Sequence, residues 1–417
     1  MNNLTVVDPQ IAQLIEKEKE RQENTLMMIP SENYASLAVL EALGSVVQNK
    51  YAEGYSGKRY YQGNINIDKI ETLAIKRAKK LFAVPHVNVQ PYSGSPANAA
   101  VYFALLKPGD KIMGLALNSG GHLTHGYPKI TFSGRYFQSA QYEVGEDGFL
   151  DYEEIEEQAI AQRPKIIVAG TTAYPRILDF ERFGRIADKV GAYLLADISH
   201  IAGLVIANVH PSPVPYADVV MTTTHKTLRG PRGAMIMVTR KGLAKDGQMG
   251  KRIDRAVFPG LQGGPHENTI AAIAVALREA QSKPFREYGK QIVKNAQVLA
   301  RELLRMGFNL VSGGTDNHLI LIDLRNKKID GKTAAVTLEK AGVVVNANAI
   351  PHDPNPPYRP SGIRLGTPAL TSRGMKGREM TQIAHFISEV IKIPEEIKMV
   401  KNIVMKMTNQ FPIYKNI

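Results

Sequence analysis

The segment DVVMTTTHKTLRGPRGAMIMVT, residues 218–239, decides the fold class. Two apolar runs, Asp218–Thr224 and Ala234–Thr239, have the β-branched character of strands that are buried on both faces. The residues between them are too few for the crossover of about a dozen residues or more that joins two parallel strands. We therefore predict that the strand at Ala234 runs antiparallel to its predecessor.

An alternation of strands and amphipathic helices extends upstream of this segment. One helix is predicted to begin at Asp151, and another runs from Phe180 to a stop at Gly191. This alternation is typical of an α/β fold with a mainly parallel sheet and helices on both faces. The remaining strands of the sheet are predicted at Lys111–Leu117, Tyr136–Val144, Lys165–Gly170 and Ala192–Ser199.

Downstream, the pattern changes to that of a smaller α+β domain. Long helices are predicted at Thr269–Gln281 and Phe285–Met306, and shorter strands follow them. We therefore predict an N-terminal helical arm at 1–25, a large α/β domain at 26–275 and a small C-terminal α+β domain at 276–417. The strands of the small domain are predicted near His318–Leu324, Val343–Asn346 and Gly362–Gly366.

Composition argues against several classes of function. The 417 residues include no cysteine, which leaves no basis for disulfides, thiolate catalysis or zinc–thiolate sites. No run of about 18 apolar residues and no signal peptide are present, so we predict a cytoplasmic protein without a membrane span. The net charge of +13 would suit a nucleic-acid-binding protein, but the basic residues are spread along the chain and no nucleic-acid-binding signature accompanies them. Such a protein is the alternative from a different class.

Two polar residues follow apolar strands, where ligands bind in open α/β sheets. A desolvated Lys226 could form a Schiff base with an aldehyde cofactor, although an ordinary surface lysine is the alternative. Asp197 ends a buried strand and needs a cationic partner, such as the protonated pyridine nitrogen of pyridoxal 5′-phosphate. A cap on the following turn is the alternative for Asp197.

A third feature is a helix start at residues 93–96. Ser95 is predicted as the N-cap and Pro96 as the first helical residue, so that free amides nearby form a phosphate cradle. An ordinary helix start is the alternative. His122 and His125 could be metal ligands, but no further ligand stands at a matching spacing, so we predict no metal site.

The order of these features is informative. A phosphate cradle, then an aspartate after a middle strand, then a lysine after a later strand is the layout of fold-type I enzymes, the aspartate-aminotransferase-like group that uses pyridoxal 5′-phosphate. The reversed strand belongs to the same layout. We therefore predict that cofactor.

Over nearly its whole length the chain resembles the serine hydroxymethyltransferase family. These enzymes interconvert serine and glycine and move a one-carbon unit to tetrahydrofolate, the co-substrate. The motifs that carry the resemblance are YAEGYSGKRYY at 51–61, NVQPYSGS at 88–95, His122, TTTHKTLRGPRG at 222–233, FPGLQGGP at 258–265 and SGIRLGT at 361–367.

The resemblance implies a role for each matching residue at the cofactor. Lys226 would carry the cofactor, Asp197 would hold its ring nitrogen, His122 would stack on the ring, and His200 and Thr172 would lie near its phenolic oxygen. The family is dimeric at the site, which implies a homodimer or a dimer of dimers in which a neighbouring subunit contributes residues. The phosphate contacts would be Ser93, Gly94, Ser95 and His225, with Tyr51, Gly263 and Gly264 from the neighbouring subunit.

The resemblance also assigns the substrates. Arg364, helped by Ser31, would clamp the amino-acid carboxylate, and Glu53 beside Tyr61 would exchange a proton with the substrate hydroxyl and with folate. Thr223 and Arg232 would support the exchange of amines around Lys226. The folate neighbours would be Glu53, Tyr60, Leu117, Gly121, Leu123 and Asn348.

The chain departs from the family's usual pattern in a few places. It has Thr172 for serine, Tyr92 for histidine, Pro96 for glutamine and Ser56 for proline, and none of these is a proton-transfer residue. The nearest competing prediction is a fold-type I aldolase for β-hydroxy-amino acids that acts without folate. Folate dependence of serine cleavage separates the two.

Overall fold

The computed structural model describes residues 3–414, and a seven-stranded sheet lies at the centre of this part of the chain. Ala234–Val238 runs antiparallel to both of its neighbours, His86–Asn88 and Val219–Thr223, and its pairing with Val219–Thr223 is the one that the short connection predicts. In spatial order the strands are His86–Asn88, Ala234–Val238, Val219–Thr223, Tyr193–Asp197, Ile166–Gly170, Lys111–Leu115 and Gln138–Tyr142.

Helices cover both faces of this central sheet, and each face has its own apolar core. The helix at Tyr152–Gln162 begins at the N-cap Asp151, and Phe180–Val190 ends at Gly191 in the left-handed conformation, both as predicted. The other helices up to residue 280 are Leu37–Leu43, Ile65–Phe82, Gly94–Leu105, Phe132–Tyr136, Ala202–Ile206, Arg240–Lys245, Met249–Arg255 and Glu267–Ala280.

A second, antiparallel sheet has a separate core. Leu26 and Met28 belong to this core, because the short strand Leu26–Met27 pairs with Val343–Val344. The sheet order is Asn309–Leu310, Leu319–Asp323, Gly362–Gly366 and Asn346–Asn348, and the helices are Lys283–Arg305, Gly331–Lys340, Pro368–Ser372, Gly377–Lys392 and Ile397–Gln410.

Two helices, Asn3–Val7 and Pro9–Asn24, precede these cores. The division into an arm at 1–25, a large domain at 26–275 and a small domain at 276–417 stays a prediction, and residues 1–2 and 415–417 lie outside the described residues. No helix within residues 3–414 has both the length and the apolar character needed to cross a membrane.

Two local predictions are wrong. Tyr136 is not in a strand but ends the short helix Phe132–Tyr136, and the strand that follows starts at Gln138. The N-cap at residues 93–96 is Ser93 rather than Ser95, and Pro96 is the third helical residue rather than the first. Proline is tolerated there because the first N–H groups of a helix have no intrahelical partner.

Candidate active site

The carboxyl ends of the central strands open into a cleft of about 490 Å³, which is also lined by residues of the second sheet. Most of the predicted site residues line it, although they come from segments far apart in the sequence. Those residues are Ser31, Ser93, Gly94, Ser95, Leu117, Gly121, His122, Leu123, Thr172, Asp197, His200, Thr223, His225, Lys226, Arg232, Asn348 and Arg364.

Lys226 lies directly after the strand Val219–Thr223, in the tight link to the reversed strand. The link is closed by Thr224, whose N–H donates to Gly233 O at 3.0 Å and whose hydroxyl donates to Pro231 O at 2.6 Å. Burial lowers the pKa of the Lys226 amine to about 8, against the opposing effect of the Asp197 charge. A reactive neutral amine is therefore available near neutral pH.

Asp197 ends the strand Tyr193–Asp197, and hydrogen bonds engage both of its carboxyl oxygens. Oδ1 accepts from the Ser199 hydroxyl at 2.6 Å and from the Ser199 N–H at 3.1 Å. Oδ2 accepts from Asn98 Nδ2 at 3.1 Å and lies 3.0 Å from His125 Nε2. Burial alone would raise the pKa of Asp197, but these bonds and the nearby positive charges hold it well below its usual range. Asp197 is therefore a fixed negative charge at the wall of the cleft.

The helix start at Ser93 provides free polar groups on another side of the cleft. Ser93 makes no side-chain cap bond, so its hydroxyl and the first helical N–H groups are available to an anion. Gly94 is required here, because a Cβ atom would lie 2.8 Å from Cγ2 of Thr223. Thr223 Oγ1 and His225 Nδ1 are buried and have no hydrogen-bond partner among the described residues.

Three histidines of the cleft, His122, His200 and His225, are held neutral. Burial lowers the pKa of His122 to about 4 and that of His225 to about 3, and it places the pKa of His200 well below its usual value. His200 Nδ1 lies 3.2 Å from His318 Nε2, and His122 Nδ1 lies 2.7 Å from the Thr124 hydroxyl. These imidazoles can therefore stack or exchange hydrogen bonds without adding charge to the cleft.

Arg364 supplies a half-buried cation from the second sheet. Its guanidinium donates to Thr172 O and, from Nε at 3.2 Å, to Asn346 Oδ1, and no carboxylate of residues 3–414 forms an ion pair with it. Burial lowers its pKa to about 10, which leaves it charged at neutral pH. A half-buried guanidinium without an anionic partner among the described residues is suited to a carboxylate ligand.

The remaining predicted residues form a separate group outside the lining of this cleft. The Tyr51 hydroxyl lies 3.3 Å from Glu53 Oε1, and the rings of Tyr51 and Tyr61 meet edge to face at 5.2 Å. A Cβ atom on Gly263 would lie 3.0 Å from Glu53 Oε1, and one on Gly264 would lie 3.1 Å from Tyr51 Cζ. Tyr60 is the most exposed member, at 72%. We call Tyr51, Glu53, Tyr60, Tyr61, Gly263 and Gly264 the tyrosine-loop group.

Sequence reasoning missed several residues that hold the site together. Asn98 is a buried polar residue within an otherwise apolar helix, and that contrast could have identified it. His125 was considered only as a metal ligand, but its ring lies against Asp197. Among the described residues, no group of three histidine, aspartate or glutamate side chains could hold a metal ion.

The cleft fits pyridoxal 5′-phosphate on its own geometry. It combines the Lys226 amine, a fixed carboxylate for a pyridinium nitrogen and a helix start with free donors for a phosphate. The unpartnered Thr223 Oγ1 and His225 Nδ1 are the kind of buried atoms that a polar ligand satisfies.

Comparison with known proteins gives one family. The family model described as serine hydroxymethyltransferase matches residues 4–387. A relative of that name from Acidothermus cellulolyticus is 60% identical over 388 residues, covering 93% of this chain and 89% of the relative. Another from Desulfotalea psychrophila is 56% identical over 415 residues, covering 99% and 96%. A third, from Sorangium cellulosum, is 58% identical over 388 residues, covering 93% and 90%.

Proposed function

The chain belongs to the serine hydroxymethyltransferase family, and on that premise we propose how its residues perform the reaction. It is a fold-type I, pyridoxal-phosphate-dependent transferase of one-carbon metabolism and amino-acid biosynthesis. It converts L-serine and tetrahydrofolate reversibly to glycine and 5,10-methylenetetrahydrofolate.

Our assignment of the cofactor contacts rests on chemical fit. Lys226 carries the cofactor, Asp197 holds its ring nitrogen, and His122 lies on the ring face. The cofactor supplies an aldehyde for the substrate's amino group and a ring that accepts electrons from the bond being broken. The phenolic oxygen is met by Thr172 and His200, and the phosphate by Ser93, Gly94, Ser95 and His225.

The amino-acid substrate is oriented by its carboxylate. Arg364 is a half-buried cation that forms no ion pair among the described residues, and it binds the carboxylate through two parallel N–H donors, with Ser31 beside it. That clamp aligns the bond to be broken and keeps it away from water. Thr223 and Arg232 flank Lys226 in the cleft wall and assist the exchange of amines.

The proton on the substrate hydroxyl needs a carboxylate that can exchange protons, and Asp197 is fully engaged by hydrogen bonds. We assign this role to Glu53, with Tyr61 beside it. Because the tyrosine-loop group lies outside its own cleft, we propose that it completes the cleft of a second copy. The enzyme is then a homodimer or a dimer of dimers, with Tyr51, Gly263 and Gly264 near the neighbour's phosphate.

Folate occupies the outer part of the same cleft in our proposal. Leu117, Gly121, Leu123 and Asn348 line that part and offer an apolar surface with a polar edge. Glu53 and Tyr60 complete it from the neighbouring copy. We also propose a cytoplasmic location, where serine, glycine and folate are available.

The observation that carries the proposal is a lysine amine with a lowered pKa in one cleft with an ionised aspartate and an unpaired arginine. The first test is the absorption spectrum of the purified protein before and after addition of glycine and tetrahydrofolate. We expect a yellow protein that gains a long-wavelength band only with both ligands. A yellow protein indifferent to folate would point to the aldolase. A protein that stays colourless with added cofactor would refute the lysine assignment.

The shared site has its own test. We mix the Lys226→Ala chain, which should be inactive, with the Glu53→Gln chain, which should keep only a small residual activity, after mild dissociation. If Glu53 serves the neighbouring cleft, each mixed dimer has one intact site, and random pairing restores about a quarter of the activity. If Glu53 serves its own cleft, no mixed dimer has an intact site and no activity returns.

A further inference from the structure

A buried arginine lies directly behind Glu53. Residues 54–59 form a hairpin in which Gly54 pairs with Arg59, and the Arg59 side chain turns back under the preceding residues. Its side chain is only 4% exposed. Arg59 is not one of the residues that contact substrate or cofactor in the proposed function.

Arg59 fixes the backbone on both sides of Glu53. Its Nη1 donates to Ala52 O and to Gly54 O, each at 2.8 Å. The carbonyl of Glu53 itself accepts from the Tyr60 N–H at 3.1 Å, and Gly54 O also accepts from Gln90 Nε2 at 3.0 Å. The carbonyls of Ala52, Glu53 and Gly54 are therefore each held by a hydrogen bond from Arg59, Tyr60 or Gln90.

Two carboxylates anchor the same guanidinium to the helix Ile65–Phe82. Nε donates to Asp68 Oδ1 at 2.8 Å, and Nη2 donates to Glu71 Oε2 at 3.0 Å. Gln90 Nε2 also donates to Glu71 Oε2 at 3.0 Å, which joins this cluster to the edge of the central sheet. The arginine thus connects the turn at Glu53 to two rigid elements.

The Glu53 side chain contrasts with its backbone. Its carboxylate is partly exposed, and Tyr51 at 3.3 Å is its one hydrogen-bond partner among the described residues. A fixed backbone that carries an accessible carboxylate is the arrangement expected of Glu53 if it transfers a proton to a substrate that is bound in the neighbouring subunit's cleft. Gly54 reinforces it, since its φ of +95° and a Cβ only 2.4 Å from Lys58 O exclude other residues.

We propose that Arg59 is a positioning residue that sets the location of Glu53 for proton exchange. This inference rests on the proposed role of Glu53 and adds the group through which the fold controls it. Lysine cannot replace Arg59, because a single ammonium cannot bridge two carbonyls and two carboxylates that surround a planar guanidinium. The Arg59→Lys chain keeps the buried charge but releases the turn.

The experiment compares rates of tetrahydrofolate-dependent serine cleavage per bound cofactor in the full-length holoenzyme. We expect Arg59→Lys to lower kcat/KM by about 30- to 100-fold, as misplacement of a catalytic group by about 1 Å does. In a chain that already carries Glu53→Gln, we expect Arg59→Lys to change the rate less than about threefold, since the group it positions is gone.

Arg373 provides the matched control. It is 6% exposed, and its guanidinium donates to several backbone carbonyls, including Thr25 O at 3.0 Å and Thr408 O at 2.9 Å, on another part of the molecule. Arg373→Lys should lower the Tm comparably and leave kcat/KM unchanged. If Arg59→Lys does not fold, Gln90→Met removes the bonds from Gln90 Nε2 to Gly54 O and to Glu71 Oε2 but leaves Arg59 in place. It should lower kcat/KM about 3- to 10-fold, again only when Glu53 is present.

The outcomes separate the two proposals. A Glu53→Gln chain with full activity would refute the role of Glu53 and this inference with it. A crippled Glu53→Gln chain together with a fully active Arg59→Lys chain would refute the positioning role alone. Losses that multiply in the double variant would also refute it, because Arg59 would then act on something other than Glu53.

Discussion

Substitution of Asp197 by asparagine tests the electrostatic design of the cleft most directly. The carboxylate accepts from four donors, two from Ser199 on one oxygen and one each from Asn98 and His125 on the other. Asparagine has one side-chain oxygen, so its NH₂ group must face either the donors of Ser199 or those of Asn98 and His125. Each buried donor left without an acceptor costs roughly 1–3 kcal/mol, and the Tm of the cofactor-free protein should fall.

The effect on the cofactor should be larger than that on folding. Removing one partner of a buried charge pair costs about 3–5 kcal/mol, which corresponds to cofactor binding weaker by about 10²- to 4 × 10³-fold. The measurement is a titration of the cofactor-free protein with pyridoxal 5′-phosphate, followed by absorbance at pH about 7. Because the pKa of Asp197 is depressed, its charge is fully present at that pH and would be lost only in acid.

Asp218 provides the control within the same sheet. It is fully buried near the opposite end of the adjacent strand, where Oδ2 accepts from Leu194 N at 2.8 Å and Oδ1 has no partner among the described residues. Asp218→Asn can keep the bond to Leu194, so we expect cofactor affinity to change less than about threefold. Equal affinities of the Asp197→Asn chain and the unchanged chain would refute the pairing with the ring nitrogen.

Three further predictions concern other parts of the site. Arg364→Lys should raise the KM for serine about 100-fold with a smaller change in kcat, since lysine loses the paired donors, and steady-state kinetics measure both. Tyr92→Phe should weaken cofactor binding about 3- to 10-fold in a titration, because the Tyr92 hydroxyl donates to Gly264 O at 2.7 Å. Uptake of cofactor by the cofactor-free protein should rise with pH up to about 8 and then level off, because the neutral Lys226 amine is the reactive form. Stopped-flow absorbance measures this rate, and a rise that continues to pH 10 would indicate an ordinary lysine.

The sequence predicts the central sheet well, and its failures have a physical cause. The connection before Ala234 is too short for a crossover, so chain length alone determines the antiparallel strand. The edge strand His86–Asn88 was missed, because three residues including a histidine and an asparagine give no alternating pattern. At residues 93–96 two serines flank Gly94, and local preference cannot decide which of them is the cap.

Within the site, the residues at strand ends and helix starts could be predicted, but their supports could not. Asp197 and Lys226 follow apolar strands, which is a pattern in the sequence. Asn98 and His125 hold Asp197 from segments far away along the chain, and only the fold brings them together. The same is true of Arg59, whose partners Asp68 and Glu71 lie on the helix that follows it.

The charge balance of the cleft unites these observations. Lys226, Arg232 and Arg364 bring positive charge to the cleft. Its lining carboxylates are Glu32 and Asp197, and Asp197 already accepts from four donors. Burial keeps His122, His200 and His225 neutral, so the positive charge stays where a phosphate and a carboxylate would bind. A protonated histidine beside Lys226 would depress the lysine pKa further and compete with the pyridinium for Asp197. The neutral histidines therefore allow one cleft to hold two anionic groups and a ring cation at separate positions.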